Sequence, residues 1–147
     1  MSAINFENIK LTDKESMILL NLIFITEDMV HKKRLEDSSE SFGEDALFAY
    51  RKLSCQILEN YMKKKRYLTL NIYELDYLLS AVEIGKDINE DREKEIFSRD
   101  ILISLLKKMY RKHRKHKKTI IDFYSSNDEI ERLKILKEIS EEKNENT

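Results

Sequence analysis

At five points along this chain a short polar side chain three residues ahead of a glutamate reads as the start of a helix. Thr12 with Glu15, Ser41 with Glu44 and Ser126 with Glu129 fit the S/T-x-x-E capping box. In that device the hydroxyl accepts the third helical N–H while the glutamate reaches back to the N–H of the cap. Asn71 with Glu74 and Asp87 with Glu90 are looser versions of it. Such pairs open helices, and here they predict five, near 13–34, 42–66, 72–84, 88–118 and 127–143. Gly43 and Gly85 support the breaks. Gly85 directly follows Leu75, Leu78, Leu79 and Val82, where a left-handed residue would close a helix.

The rest of the composition agrees. There is no proline, there are only two glycines, and Leu, Ile, Lys and Glu abound. A β-rich fold would need more turn residues and more Val and Thr. The expected class is all-α, a single-domain bundle of 147 residues with no internal repeat and no linker long enough to divide it. An acidic, Ser-rich loop near 36–43 should be mobile and the tail near 141–147 should fray. Met17–Ile25 is apolar nearly all round, which points to the first helix as the central one. Leu47, Tyr50, Leu53, Ile57, Leu58 and Tyr61 form a second stripe. Phe97, Ile101, Leu102, Leu105, Leu106 and Met109 form a third.

Several function classes find no foothold. A lone cysteine, Cys55, precludes an intramolecular disulfide and suits a reducing interior. The first residues lack the basic-then-apolar order of a secretory leader. The longest apolar run is far short of the roughly 20 residues that a membrane span needs. The expected location is cytoplasmic, with no membrane partner. The two glycines lie too far apart for a phosphate-binding loop. Cys55 has no histidine near it in sequence and is expected to be a small buried hydrophobe in mid-helix. Asp28-x-x-His31 is a single weak echo of a di-iron motif that needs two Glu-x-x-His pairs. Ala81-x-x-x-Gly85 has the spacing of a helix-turn-helix turn, but the following KDINEDREKE is charged where packing residues are required and acidic where phosphates would lie. Neither a cofactor nor a catalytic constellation is implied, so a non-enzymatic protein is expected.

Three basic clusters remain. HKKR at 31–34 and KKKR at 63–66 sit where helices end, and cations are favourable there. The third carries eight Lys or Arg in the twelve residues 107–118, yet the whole chain has a net charge of −1. At about 100° per residue, Leu102, Leu106, Met109, His113, His116 and Ile120 share a stripe. The two histidines thus continue a core face and are expected to be structural members of it rather than metal ligands. Lys107, Lys108, Arg111, Arg114, Lys115 and Lys118 cover the opposite side, with only Asp122 at i+4 from Lys118 to offset them. That face is the candidate partner-binding surface. Three readings compete for it: a solvated face matched by acidic stretches such as 87–95 and 138–145, a dock for an acidic surface of a protein partner, and a track for nucleic-acid phosphates. In the last, Lys63, Lys64, Lys65 and Arg66 with Tyr61 and Tyr67 form a secondary basic patch.

The stretch YLTLNIYELDYLLSAVEIG and the Lys-, Glu-, Ile- and Asn-rich composition resemble small helical proteins of phages and plasmids in low-GC bacteria. The resemblance is one of composition, and it implies a regulator or inhibitor of host machinery. The expectation is a small regulatory or inhibitory protein that engages a macromolecule through the basic face of its fourth helix. The alternatives are a nucleic-acid-binding accessory protein using the same face, or a sensor bundle holding an apolar ligand.

Overall fold

The structure is a computed structural model that describes residues 5–39, 42–91 and 95–145. Strand β1 (Phe6–Lys10) leads into helix α1 (Asp13–Asp37), followed by α2 (Glu44–Met62). Strand β2 (Tyr67–Asn71) leads into α3 (Ile72–Glu90), followed by α4 (Arg99–His113). One 3₁₀ turn (Arg114–His116) joins α4 to α5 (Lys117–Ser126), and α6 (Glu129–Glu145) completes the order. The fold is a mostly helical bundle, as expected. Counting the bent α4–α5 rod as one, the described residues form five helical bodies.

The strands are a departure from the expected all-helical chain. β1 and β2 pair antiparallel, with Ile9 opposite Leu68 and Phe6 opposite Asn71. Thr69 Oγ1 donates to Asn8 Oδ1 across the ladder at 2.6 Å. Ile9, Leu11, Leu68 and Leu70 turn into the core. The period of two in Leu68-x-Leu70 was the signal, hidden by its shortness. Helix α2 accordingly stops at Met62 rather than at 66, and Lys63–Arg66 form the turn into β2. Its Cys55 is exposed on the outer side of the helix and not buried as expected.

Each strand delivers its chain into a capping box. Thr12 accepts from the Glu15 N–H and Glu15 accepts from the Thr12 N–H. Asn71 and Glu74 do the same at the start of α3. Both glutamates are buried, and each is met by a lysine from elsewhere. Lys108 of α4 reaches Glu15 at 2.7 Å, and Lys52 of α2 reaches Glu74 at 3.2 Å.

This cross-over exposes a repeat that the residues alone did not yield. The displacement that carries Thr12 onto Asn71 also carries Ile9 onto Leu68, Leu11 onto Leu70, Glu15 onto Glu74, Leu19 onto Leu78 and Ile23 onto Val82. The molecule is therefore two strand–helix–helix units, β1–α1–α2 and β2–α3–α4, related by an approximate twofold through the Ile9–Leu68 pair. The second helix of each unit sends a lysine into the capping box of the other.

Three further expectations are corrected. The central helix is α3, which buries Leu75, Leu78, Leu79, Ala81 and Val82 and packs on α1, α2, α4 and α5. Helix α1 instead leaves Met17 and Phe24 on its outer side. Second, Gly85 does not end a helix. It lies inside α3 where a Cβ would stand 2.5 Å from Leu22 Cδ2, so its missing side chain lets α1 and α3 cross closely. Helix α3 runs on to Glu90, which places Asp87 inside it, and α4 opens at Ser98 rather than 88. Third, α6 is capped by Asp128, whose carboxylate accepts the Glu131 N–H at 2.9 Å, not by Ser126. The expected Ser41–Glu44 box lies partly outside the described residues, as do parts of the 36–43 loop and of the 141–147 tail. Within the loop, Ser38 closes α1 in the left-handed region and Gly43 (φ 71) precedes α2. Within the tail, α6 is helical as far as Glu145.

The crossing supplies a test of sign. In a free helix Gly→Ala is stabilising by about 1 kcal/mol. At Gly85 the added Cβ would overlap Leu22, which is fully buried and would have to shift within the core, so Gly85→Ala should instead destabilise by about 1–3 kcal/mol. Chemical denaturation of the variant checks this.

Candidate functional site

The bent rod α4–α5 carries the basic cluster, and its path follows from its apolar side. Leu102, Leu105, Leu106 and Met109 bury against the core, and Ile120 and Phe123 do so beyond the 3₁₀ turn. Ser98 caps the start and Arg111, Lys112 and His113 crowd the last turn of α4, where the helix dipole favours cations.

Folding divides the cluster in two. On the flank toward β1, the cations are taken up internally. Lys108 Nζ donates to Glu15 Oε1 at 2.7 Å and to the Lys10 carbonyl at 2.8 Å. Lys112 lies 3.4 Å from Glu7, and His116 Nε2 is bonded to Glu7 at 2.9 Å. His113 Nε2 meets Asp76 of α3 at 2.8 Å. Lys108 is thus half-buried and does not belong to the outer face to which its helical position assigned it. The acids that meet this flank are Glu7 and Glu15, near the other end of the sequence, with Asp76 of α3; among the described residues none of the stretches 87–95 and 138–145 pairs with it.

The remaining cations stay outside. Lys107, Arg111, Arg114 and Lys118 form a row at spacing i, i+4, i+7, i+11, with Lys115 and Lys117 on either side. All six are exposed, and none makes an ion pair among the described residues. Asp122, four residues past Lys118, is exposed and does not pair with it.

Both carboxylates that hold the inner flank are acidic beyond their ordinary value of 4.5. His116 hydrogen-bonded to Glu7 lowers that carboxyl more than its partial burial raises it, and Lys112 and Lys115 add to the effect. For Glu15, burial is the largest influence and pushes upward. Lys108, the Thr12 N–H and Ser104 together outweigh it, so the net shift is again downward.

Beside the row, a groove of about 590 Å³ runs between the end of α3 and α4. Leu102, Ile103 and Leu106 form its floor, Lys86, Arg99 and Lys107 its rim, and Glu90 and Glu95 stand at one end. Tyr110 forms a wall, its hydroxyl donating to Glu83 at 2.6 Å; that bond to a carboxylate, with some burial, pushes its pKa up to about 12. A second hollow of about 500 Å³, lined by Lys107, Tyr110, Arg111 and Arg114, continues the groove along the cation row.

The secondary patch stands apart from this surface. Lys63 pairs with Glu59 at 2.6 Å, Lys64 takes a left-handed turn conformation (φ 58), and the Arg66 carbonyl accepts the Leu11 N–H. Lys65 and Arg66 are exposed with Tyr61 and Tyr67 beside them in sequence. The turn adjoins the Lys10 end of the sheet, which Lys108 also touches, but the outer row is centred about a quarter turn further round α4.

Elsewhere, a buried polar cluster ties α6 down. Asp45 accepts from Tyr77 at 2.5 Å and from Arg132 at 2.8 Å, and Arg132 lies over the Tyr124 ring. Every polar group there has a partner within the fold, so the cluster reads as an anchor. Among the described residues no group of three or more His, Cys, Asp and Glu side chains is disposed to hold a metal ion, and no helix is long and apolar enough to cross a membrane. Comparison with family models, curated proteins and solved structures finds no match for the chain.

Two outcomes test this division of charge. Carboxylates with depressed folded-state pKa values stabilise above their unfolded value and lose that contribution as pH falls through the folded one. Denaturant stability should therefore hold from neutrality to about pH 5 and fall below it, and a Glu7→Gln, Glu15→Gln double variant should lose less over that lower range. Replacing His113 and His116 with Leu should cost about 1–3 kcal/mol at neutral pH, because Asp76 and Glu7 would each lose a half-buried partner.

Proposed function

We propose that the protein is a small non-enzymatic regulatory or inhibitory binding protein, and that it engages an acidic surface of a protein partner through the outer row of α4 and α5. The single observation that supports this reading is the split in the basic cluster. Where the fold needs a cation, as at Lys108 and Lys112, an acid meets it. Lys107, Arg111 and Arg114 are left aligned and exposed along α4, Lys118 is exposed beyond the 3₁₀ turn on α5, and the opposite side of the rod is core.

Rigidity matters because complementary charge on a fixed scaffold steers encounter and sets orientation. Four exposed cations over about three turns of the rod offer that without moving any core residue. The groove beside it favours protein over nucleic acid, since its apolar floor of Leu102, Ile103 and Leu106 can bury side chains of a protein and gains nothing from phosphates.

The test is affinity capture from the native cell with two baits, the wild type and Lys107→Glu/Arg111→Glu/Arg114→Glu/Lys118→Glu. The quadruple variant should keep its fold, with each exposed change costing under about 0.5 kcal/mol. A protein retained by the wild type, insensitive to nuclease and lost by the variant supports the reading. Retention that needs nucleic acid, with a steep salt dependence, would transfer the surface to the nucleic-acid alternative. Undiminished retention by the variant would mean that the row is only solvated.

A further inference from the structure

We infer that the groove between α3 and α4 receives an amphipathic acidic helix of the partner. This rests on the reading above and adds the apolar half of the contact.

The surface is one continuous trough, because the groove and the hollow that extends it share Lys107 and Tyr110. Its two ends differ in chemistry. At one end the floor is Leu102, Ile103 and Leu106; at the other the lining is Lys107, Arg111 and Arg114. Ile103 and Tyr110 are 39% and 41% exposed, so apolar surface there is open to water in the free protein. The Tyr110 ring is held in place by the bond from its hydroxyl to Glu83, which leaves a fixed wall between the apolar and cationic parts.

From Arg99 to Arg114 the trough follows α4 for about 22 Å, roughly four turns at 1.5 Å per residue. A helix of that length presents three or four apolar side chains on one face at i, i+3, i+4, i+7 spacing. Those would lie on Ile103, Leu106 and Tyr110. Acidic residues on the rim of the incoming helix would meet Lys107, Arg111 and Arg114. At the far end Glu90 and Glu95 offset Lys86 and Arg99, whereas the Arg111 and Arg114 end carries uncompensated positive charge, so the segment has one direction: its acidic end lies over Arg111 and Arg114.

The probe is a synthetic 16-residue helical peptide with a Leu stripe and Glu clustered toward one end, followed by fluorescence anisotropy. Two control peptides share its length: one with the stripe Leu changed to Ser, one with Glu changed to Lys. The acidic striped peptide should bind, and each control should bind at least about tenfold more weakly. Ile103→Glu should weaken the striped peptide by a similar factor while circular dichroism stays unchanged. If the Ser control binds as well as the striped peptide, the groove contributes nothing and this inference fails, while the cation row stands. If the Lys control binds equally well, the cationic end has no role, and the proposed function fails with it. Absence of binding by the striped peptide also overturns the inference. The peptide comparisons all use the wild-type protein, so their outcome does not depend on any variant folding.

Discussion

Two buried glutamates hold the molecule together. Glu15 and Glu74 each close their own capping box and then accept a lysine from the other half of the chain, Lys108 and Lys52 respectively. A surface ion pair contributes little, but these carboxylates are almost wholly withdrawn from water. Removing one partner of such a pair leaves a buried charge without compensation, which is costly. The same two side chains therefore set where α1 and α3 begin, how α2 and α4 lie against them, and how the two halves face each other. The sheet is a consequence. Strands that must deliver Thr12 and Asn71 to opposite ends of the ladder run antiparallel, and Ile9 and Leu68 meet at the centre.

That arrangement explains why the basic segment is so rich. Part of it is structural: Lys108 completes a capping box, and Lys112 and His116 converge on Glu7 of β1. The 3₁₀ turn at Arg114–His116 belongs to the same requirement. A residue in a 3₁₀ turn advances about 120° rather than 100°, so three such residues rotate α5 relative to α4 by about a sixth of a turn. The rotation accompanies two contacts, His116 on Glu7 before it and Ile120 and Phe123 in the core after it. Phe123 then stacks on Tyr73 at 4.0 Å between ring centres.

How much of this was legible in the sequence depends on the range of the forces involved. Helices were readable because caps and apolar stripes act within a turn or two; the Thr12 and Asn71 boxes lie where the pattern puts them. Gly85 was misread because its role is a contact with Leu22 on another helix, and no local pattern records that. The strands were missed because five residues of alternation look like the frayed end of a helix. The outer row was found by helical phase alone, whereas Lys108 was misassigned. Its position on the wheel is outward, yet a lysine has four methylenes with which to bend toward Glu15, a partner 93 residues away. The groove left no signal at all in the residues, since Leu102 and Leu106 read as ordinary core and only the separation of α3 from α4 opens it.

The charge left on the outer row has an energetic meaning of its own. Lys107 and Arg111, Arg111 and Lys115, and Arg114 and Lys118 are each four residues apart, and like charges at that spacing destabilise a helix by about 0.2–0.5 kcal/mol per pair. Three such pairs cost the free protein about 1 kcal/mol, which other packing has to offset. An acidic partner that covers the row removes this repulsion as it adds attraction, so the strain of the free state becomes part of the affinity. The inner flank offers no such gain, because Glu7 and Glu15 already neutralise it. On the proposed reading, binding energy on this helix would be confined to the side that the fold did not use, and the apolar floor beside it gives that side a shape as well as a charge.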